Sequence, residues 1–179
     1  MFKRFGTLSA ALALAVAASA GTAMATSNTQ GLTVTGSVGQ SCTTLSSAQT
    51  LQFSAYDFQT NATAADTAGP VSYTTSCTKG SSVAFSVNGG ANYAHTSGTR
   101  AMKSSSTSDY LNYGLFQNSN DTTAWGFDSG TGAGTNGPTL NPTSKTQVLT
   151  LTIYGSIPGG QDVSVATDYT DAVTVAINY

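Results

Sequence analysis

Asp171-Ala172-Val173-Thr174-Val175-Ala176-Ile177-Asn178-Tyr179 closes the chain. Val173, Val175, Ile177 and Tyr179 fall on one face and mostly small or polar residues on the other, the period-two signature of a half-buried β-strand. A strand that runs to the last residue has no turn after it, so its partners are expected far back in the chain or in another chain. Near the other end lies a second alternating run, Leu32-Thr33-Val34-Thr35-Gly36-Ser37-Val38. Two such strands at the ends of a small exported domain predict an assembly module rather than an enzyme.

Export is read from the first residues. Lys3 and Arg4 form a positive n-region, residues 8–18 a short apolar stretch, and Ala23-Met24-Ala25 the small-x-small pattern of a cleavage site. Residues 1–25 are therefore expected to be a signal peptide, with Ala18-Ser19-Ala20 as a weaker cleavage site. The apolar stretch is too short to cross a bilayer as a stable helix. Residues 26–179 then suffice for one ordinary domain with its own core.

Both cysteines, Cys42 and Cys77, lie beyond the signal. In an oxidising compartment an even cysteine count reads as a disulfide, and two cysteines allow one intramolecular pairing. The other reading is two free buried thiols. A metal site is disfavoured, because two cysteines and the lone His95 lack ligand spacing.

Charge is scarce beyond residue 25, where Lys79, Arg100, Lys103 and Lys145 stand against eight aspartates and no glutamate. That balance argues against nucleic acid, which wants a basic stripe, and against anionic membrane surfaces. Serine, threonine, glycine and asparagine take the places of charge, and Thr-rich sequence favours strand over helix.

Short strand-like runs follow one another between turn residues: 32–38, 51–56, 71–77, 82–87, a short 100–103, 110–116, 147–154 and 172–179. The longest predicted loop covers residues 126–144 and contains Gly130-Thr131-Gly132-Ala133-Gly134. Seven to nine strands at this spacing predict an all-β antiparallel sandwich in one domain.

Chemistry is thinly represented. His95 sits in a Gly/Asn/Ser/Thr loop, and no Gly-x-Ser-x-Gly nucleophile elbow is present. The aspartates lie mostly beside turn residues, where capping explains them. The Gly-rich loop does not lead from a strand into a helix, so it is no phosphate cradle. Asn61-Ala62-Thr63 and Asn120-Asp121-Thr122 are formal sequons read as turns. Trp125, Phe127 and Tyr113 have the residue types of a sugar-stacking platform, against the plainer reading as core and rim of the sandwich. No cofactor, metal or small-molecule substrate is expected.

Across essentially the whole chain beyond the signal, these pieces together resemble the spore coat protein U domain family, the domain of archaic chaperone–usher pilus subunits. The resemblance rests on the alternating N-terminal run followed by Cys42, the run at 51–56, and Tyr73-Thr74-Thr75-Ser76-Cys77-Thr78. It continues through Arg100-Ala101-Met102, Tyr110-Leu111-Asn112-Tyr113-Gly114-Leu115-Phe116 and Trp125-Gly126. It closes on Tyr154-Gly155-Ser156-Ile157-Pro158-Gly159-Gly160-Gln161, then Asp168-Tyr169-Thr170-Asp171 and the terminal strand. The family pattern has glycine just before the tyrosine of its closing Tyr-x-Asp motif, where this chain has Asp168.

The resemblance implies an immunoglobulin-like sandwich lacking one strand, and a structural subunit of an exported fimbria with roles in adhesion and biofilm formation. A periplasmic chaperone would lend a strand to the open groove. An outer-membrane usher would then replace that strand with the N-terminal extension of the next subunit. The expected domains are the signal 1–25, a donor extension 26–40 and the sandwich 41–179. Leu32, Val34 and Val38 are expected to enter a neighbour's groove, with Gly36 at a tight pocket. Val173, Val175, Ile177 and Tyr179 are expected to border the receiving groove and to meet the chaperone. The alternatives are a secreted spore or cell coat protein of the same fold, and a monomeric carbohydrate-binding sandwich built on Trp125.

Overall fold

The computed structural model describes residues 26–61, 65–95 and 98–179; the export-signal reading of residues 1–25 lies outside them. The chain divides at Ser37/Val38, and residues 26–37 carry no regular secondary structure. In the second unit, Val38–Tyr179, most of the alternating runs become strands. These are β1 (Asp66–Thr75), β2 (Val83–Val87), β3 (Arg100–Lys103), β4 (Tyr110–Phe116), β5 (Asn136–Leu140), β6 (Leu149–Ile157) and β7 (Val175–Asn178). Every pairing is antiparallel, in one sheet of order β1-β6-β4-β3 and another of order β5-β2-β7.

Alternation decides what each strand buries. On β6, Leu149, Leu151 and Ile153 are buried while Thr150 between them is exposed. On β4 the buried set is Leu111, Tyr113 and Leu115; on β2 it includes Val83, Phe85 and Val87. These faces meet in one apolar cluster with Trp125 and Ile157. Each such side chain contributes roughly 1.5–3 kcal/mol by leaving water.

Cys42 and Cys77 form a disulfide across a sequence separation of 35. It fastens the start of the domain to the end of β1. There Thr43 N–H donates to Ser76 O at 2.8 Å and Ser46 N–H to Thr74 O at 3.0 Å. Closing a loop of this length stabilises the fold by about 3–4 kcal/mol in the chain-entropy account.

The strands differ from the expected ones in several places. β1 starts at Asp66, ahead of position 71, and a register shift between Ala68 and Val71 absorbs Gly69-Pro70. Pro70 has no N–H for a ladder, which is why the sequence pattern hides this half of the strand. β5 lies inside the predicted 126–144 loop, where it pairs with β2. Its Pro138 sits on a sheet edge, the place a sheet tolerates proline. β7 is shorter than the alternating 172–179 run. Residues 32–38 and 51–56 alternate as strands do, yet neither is one.

Candidate functional site: a groove between two open backbone edges

Residues 47–56 make no backbone–backbone hydrogen bond among the described residues, although Leu51, Phe53 and Tyr56 pack against the core. A run can alternate and bury one face without being a strand, because a strand also needs a partner along its edge.

The same deficit recurs on β7. Asn88 N–H donates to Thr174 O at 3.0 Å, Thr174 N–H donates to Asn88 Oδ1 at 2.8 Å, and Ala176 lies opposite Ser86. In an antiparallel ladder alternate residues send their polar groups to opposite edges. Val173, Val175 and Ile177 therefore turn their N–H and C=O groups toward the edge of β7 that no other strand of the sheet covers. Their side chains turn toward the core.

Between these two walls runs a groove of about 1030 Å³. Its floor is the inner face of the larger sheet, with Val71 and Tyr73 of β1, Leu111 and Tyr113 of β4, and Ile153 of β6. Gly155 lets the first wall approach: a Cβ there would sit 2.7 Å from the Phe53 ring, inside contact distance. Tyr113 touches both sides. Its ring meets that of Phe53 edge-on at 6.2 Å, and its hydroxyl donates to Asp171 Oδ2 at 2.7 Å. Burial, then the neighbouring Asp171 carboxylate, push the Tyr113 phenol well above its usual range.

Asp171 anchors the start of the β7 wall. Its carboxylate also accepts from the Ala91 N–H at 2.8 Å and from the Asn92 side chain at 3.2 Å. Gly90 has φ +84°, and a Cβ on it would run into that carboxylate. Behind this node, Arg100 is 4 % exposed. It donates to Asn88 O at 2.8 Å, Trp125 O at 2.7 Å and Val87 O at 3.0 Å, and lies 4.8 Å from the Phe127 ring centroid. Burial lowers its pKa, and Tyr113 and Asp171 offset part of that effect.

Residues 163–167 complete the β7 side of the groove, and carboxylates hold them to the β3–β4 turn. Ser164 N–H donates to Asp109 Oδ2 at 2.9 Å. Asp168 accepts from the Ser105 hydroxyl at 2.6 Å, the Ser104 hydroxyl at 2.7 Å and the Ser106 N–H at 2.9 Å. Those bonds, Ser105's first, hold the Asp168 pKa far below the usual carboxylate range. A depressed carboxylate contributes above its unfolded value, about 3.9, and loses that contribution as pH falls through the folded one. The Ser105 and Ser106 amide resonances are therefore expected to stay fixed from pH 8 to 5 and to move only below about pH 4. Movement with a midpoint near pH 6 would refute the assignment.

The expected groove residues are distributed along this wall. Val173 and Val175 line the groove, Ile177 packs on the core, and Tyr179 stands 54 % exposed. The N-terminal residues Leu32, Val34 and Val38 are 87 %, 83 % and 86 % exposed, and no atom would crowd a Cβ on Gly36. The sugar-platform reading fails on burial, since Trp125 is 2 % exposed and Tyr113 6 %. His95 stacks flat on Tyr110 at 3.5 Å, the contact of a loop side chain rather than of a catalytic base. Among the described residues no group of three His, Cys, Asp or Glu is placed to hold a metal, and no helix is long and apolar enough to cross a membrane.

Comparison with known proteins matches residues 8–176 to a family described as the Spore Coat Protein U domain. The chain is 32 % identical over 180 residues to "Protein U" of Myxococcus xanthus, covering 96 % of this chain and 94 % of that protein. Among solved structures it resembles a chain of the chaperone–tip adhesion subunit pre-assembly complex, CsuC–CsuE, from the archaic chaperone–usher Csu pili of Acinetobacter baumannii. That match has 25 % identity and a TM-score of 0.50, over 79 % of this chain and 40 % of the other.

Proposed function

The chain belongs to the Spore Coat Protein U domain family, a structural rather than an enzymatic one, and from that premise we propose that it is a chaperone–usher pilus subunit that polymerises by donor-strand exchange. The observation that carries this reading is the groove, whose two walls, residues 47–56 and the outer edge of β7, present backbone that no strand pairs with among the described residues. An inserted strand would pair with Val173, Val175 and Ile177 along one edge and with residues 49–56 along the other. Main-chain bonds would then supply affinity, and alternate side chains would fill the apolar floor.

Residues 26–40 are the proposed donor. Leu32, Val34 and Val38 would leave water for a neighbour's groove, and Gly36 would pass its tightest point. Left empty, such a groove is an aggregation hazard, so a periplasmic chaperone is the proposed first occupant. The chaperone complex that the chain resembles supports that partner. The usher, display on the cell surface and roles in adhesion and biofilm formation belong to the same proposal. Since each donor fills the next groove, the contact is heterologous and propagates as a filament. The family's description favours one second reading, a cell coat built by the same exchange without a long pilus.

The test is deletion of residues 26–40 from the exported chain. The expected product is a folded, chaperone-bound domain that forms no SDS-resistant multimers. A multimer ladder surviving the deletion would overturn donor-strand polymerisation by this segment. A folded monomer that binds polysaccharide with and without the segment would favour a sugar-binding module.

A further inference from the structure

The large apolar side chains that stand exposed among the described residues fall into three sets. Leu32, Val34 and Val38 belong to the proposed donor. Val148 and Tyr179, 58 % and 54 % exposed, lie at one end of the sandwich. There Thr75 pairs with Leu149 and Ala84 with Asn178, and Cys42 is joined to Cys77. Phe58 and Val165, 53 % and 100 % exposed, lie at the opposite end and line the groove from its two walls. Neither is on a loose tip. Phe58 is bracketed by bonds from Gln161 N–H to Tyr56 Oη, 2.8 Å, and from Gly160 N–H to Asn61 O, 2.9 Å. Val165 is bracketed by the Ser164–Asp109 and Asp168–Ser104 bonds.

We infer that these two ends meet in the polymer: Phe58 and Val165 of one copy pack against the Val148/Tyr179 end of the next copy. The inference rests on donor-strand polymerisation, and chain length then forces the contact. Ser41 is fixed to its own domain at the disulfide end, donating its N–H to Thr78 Oγ1 at 3.1 Å and accepting from Thr78 N–H at 2.8 Å. From Val38 in a neighbour's groove to Ser41 there are three backbone steps, a reach of about 11 Å at full extension. The disulfide end of the donor's domain is thus held against one mouth of the acceptor's groove. Were that mouth at the acceptor's own disulfide end, like ends would meet and the contact would close on itself as a pair. Propagation requires the other mouth, which Phe58 and Val165 flank. The patch is small, but a tethered contact forms at high effective concentration and needs little affinity of its own.

The experiment is cross-linking in the assembled polymer of a V148C/V165C variant with a short bismaleimide, before SDS and boiling. Both sites are exposed, and Cys42 and Cys77 are already joined, so the added thiols are the reactive ones. The expected result is a boil-resistant ladder with the same rungs as the unboiled one, while V148C and V165C singly return to monomer on boiling. If the unboiled ladder forms but the cross-linked double variant still boils to monomer, the end-to-end contact is overturned and strand exchange stands. Covalent dimers from V148C alone would overturn it in favour of like ends meeting. Absence of any SDS-resistant ladder from the unsubstituted chain would overturn strand exchange, and the contact with it.

Discussion

An L32D/V34D variant is expected to be exported and folded but to yield only monomer and chaperone complex where the parent chain yields SDS-resistant multimers. Leu32 and Val34 are exposed and lie outside the unit that carries the strands, so their replacement costs the domain little. In an acceptor groove the balance reverses. Each loses roughly 1.5–3 kcal/mol of apolar burial. Each new carboxylate must also leave water for a floor of Val71, Tyr73 and Ile153, where an unpaired charge costs more than the lost burial. Together the change exceeds about 6 kcal/mol, more than four orders of magnitude in affinity. A T33D/T35D variant carries the same added charge on the opposite face of the donor, where side chains would point to solvent. It is expected to keep the multimers. The measurement is the unboiled SDS ladder of periplasmic material for both variants. Equal loss in the two would mean that charge, not burial, blocks assembly. An intact ladder for L32D/V34D would mean that another segment fills the groove.

What the sequence disclosed and what it concealed follow from one distinction. Hydrophobic periodicity reports which side chains face a core; it does not report whether the backbone edge beside them is occupied. On β2, β4 and β6 both conditions hold, and those strands lie near where alternation places them. At 51–56 only the first holds, and the same kind of pattern yields a wall without a ladder. The groove floor was hidden for a related reason: Leu111, Tyr113 and Ile153 read as ordinary core, and nothing in their spacing marks the side that has no covering strand. β5 escaped because Asn136-Gly137-Pro138 carries turn chemistry, and only its pairing with β2 makes it a strand. Asp171 was legible as part of a closing motif but not as an acceptor, since Ala91, Asn92 and Tyr113 reach it from distant positions. Arg100 was legible as part of the resemblance and as one of very few charges, but its role was not, since its carbonyl partners lie 12 to 25 residues away.

Those partners set the second large effect. Replacing Arg100 by alanine is expected to destabilise the domain by about 3–5 kcal/mol, because three carbonyls lose a bond to a charged donor and each acceptor left buried and unsatisfied costs about 1–3 kcal/mol. The guanidinium is the common donor for carbonyls at the end of β2, in the following loop and beside Trp125. Without it three acceptors lose their bond, and the positive charge near Tyr113 and Asp171 is gone. A lysine in its place would keep the charge but not the planar fork, so R100K should recover only part of the loss. Against a typical stability of about 5–15 kcal/mol, R100A places the domain near the threshold of folding. The effect should extend to assembly. Asn88, whose carbonyl Arg100 holds, also accepts from Thr174 N–H through its side chain and donates its own N–H to Thr174 O. Loosening Asn88 therefore loosens the β7 wall on which an incoming strand would pair. Urea unfolding of the chaperone-free R100A, R100K and parent domains, each with residues 26–40 removed to prevent polymerisation, measures the first effect. Binding of a peptide spanning residues 28–40 measures the second. A loss below 1 kcal/mol for R100A would show that solvent or the neighbouring loop satisfies the three carbonyls, and the Arg100 node would no longer account for how β7 is held.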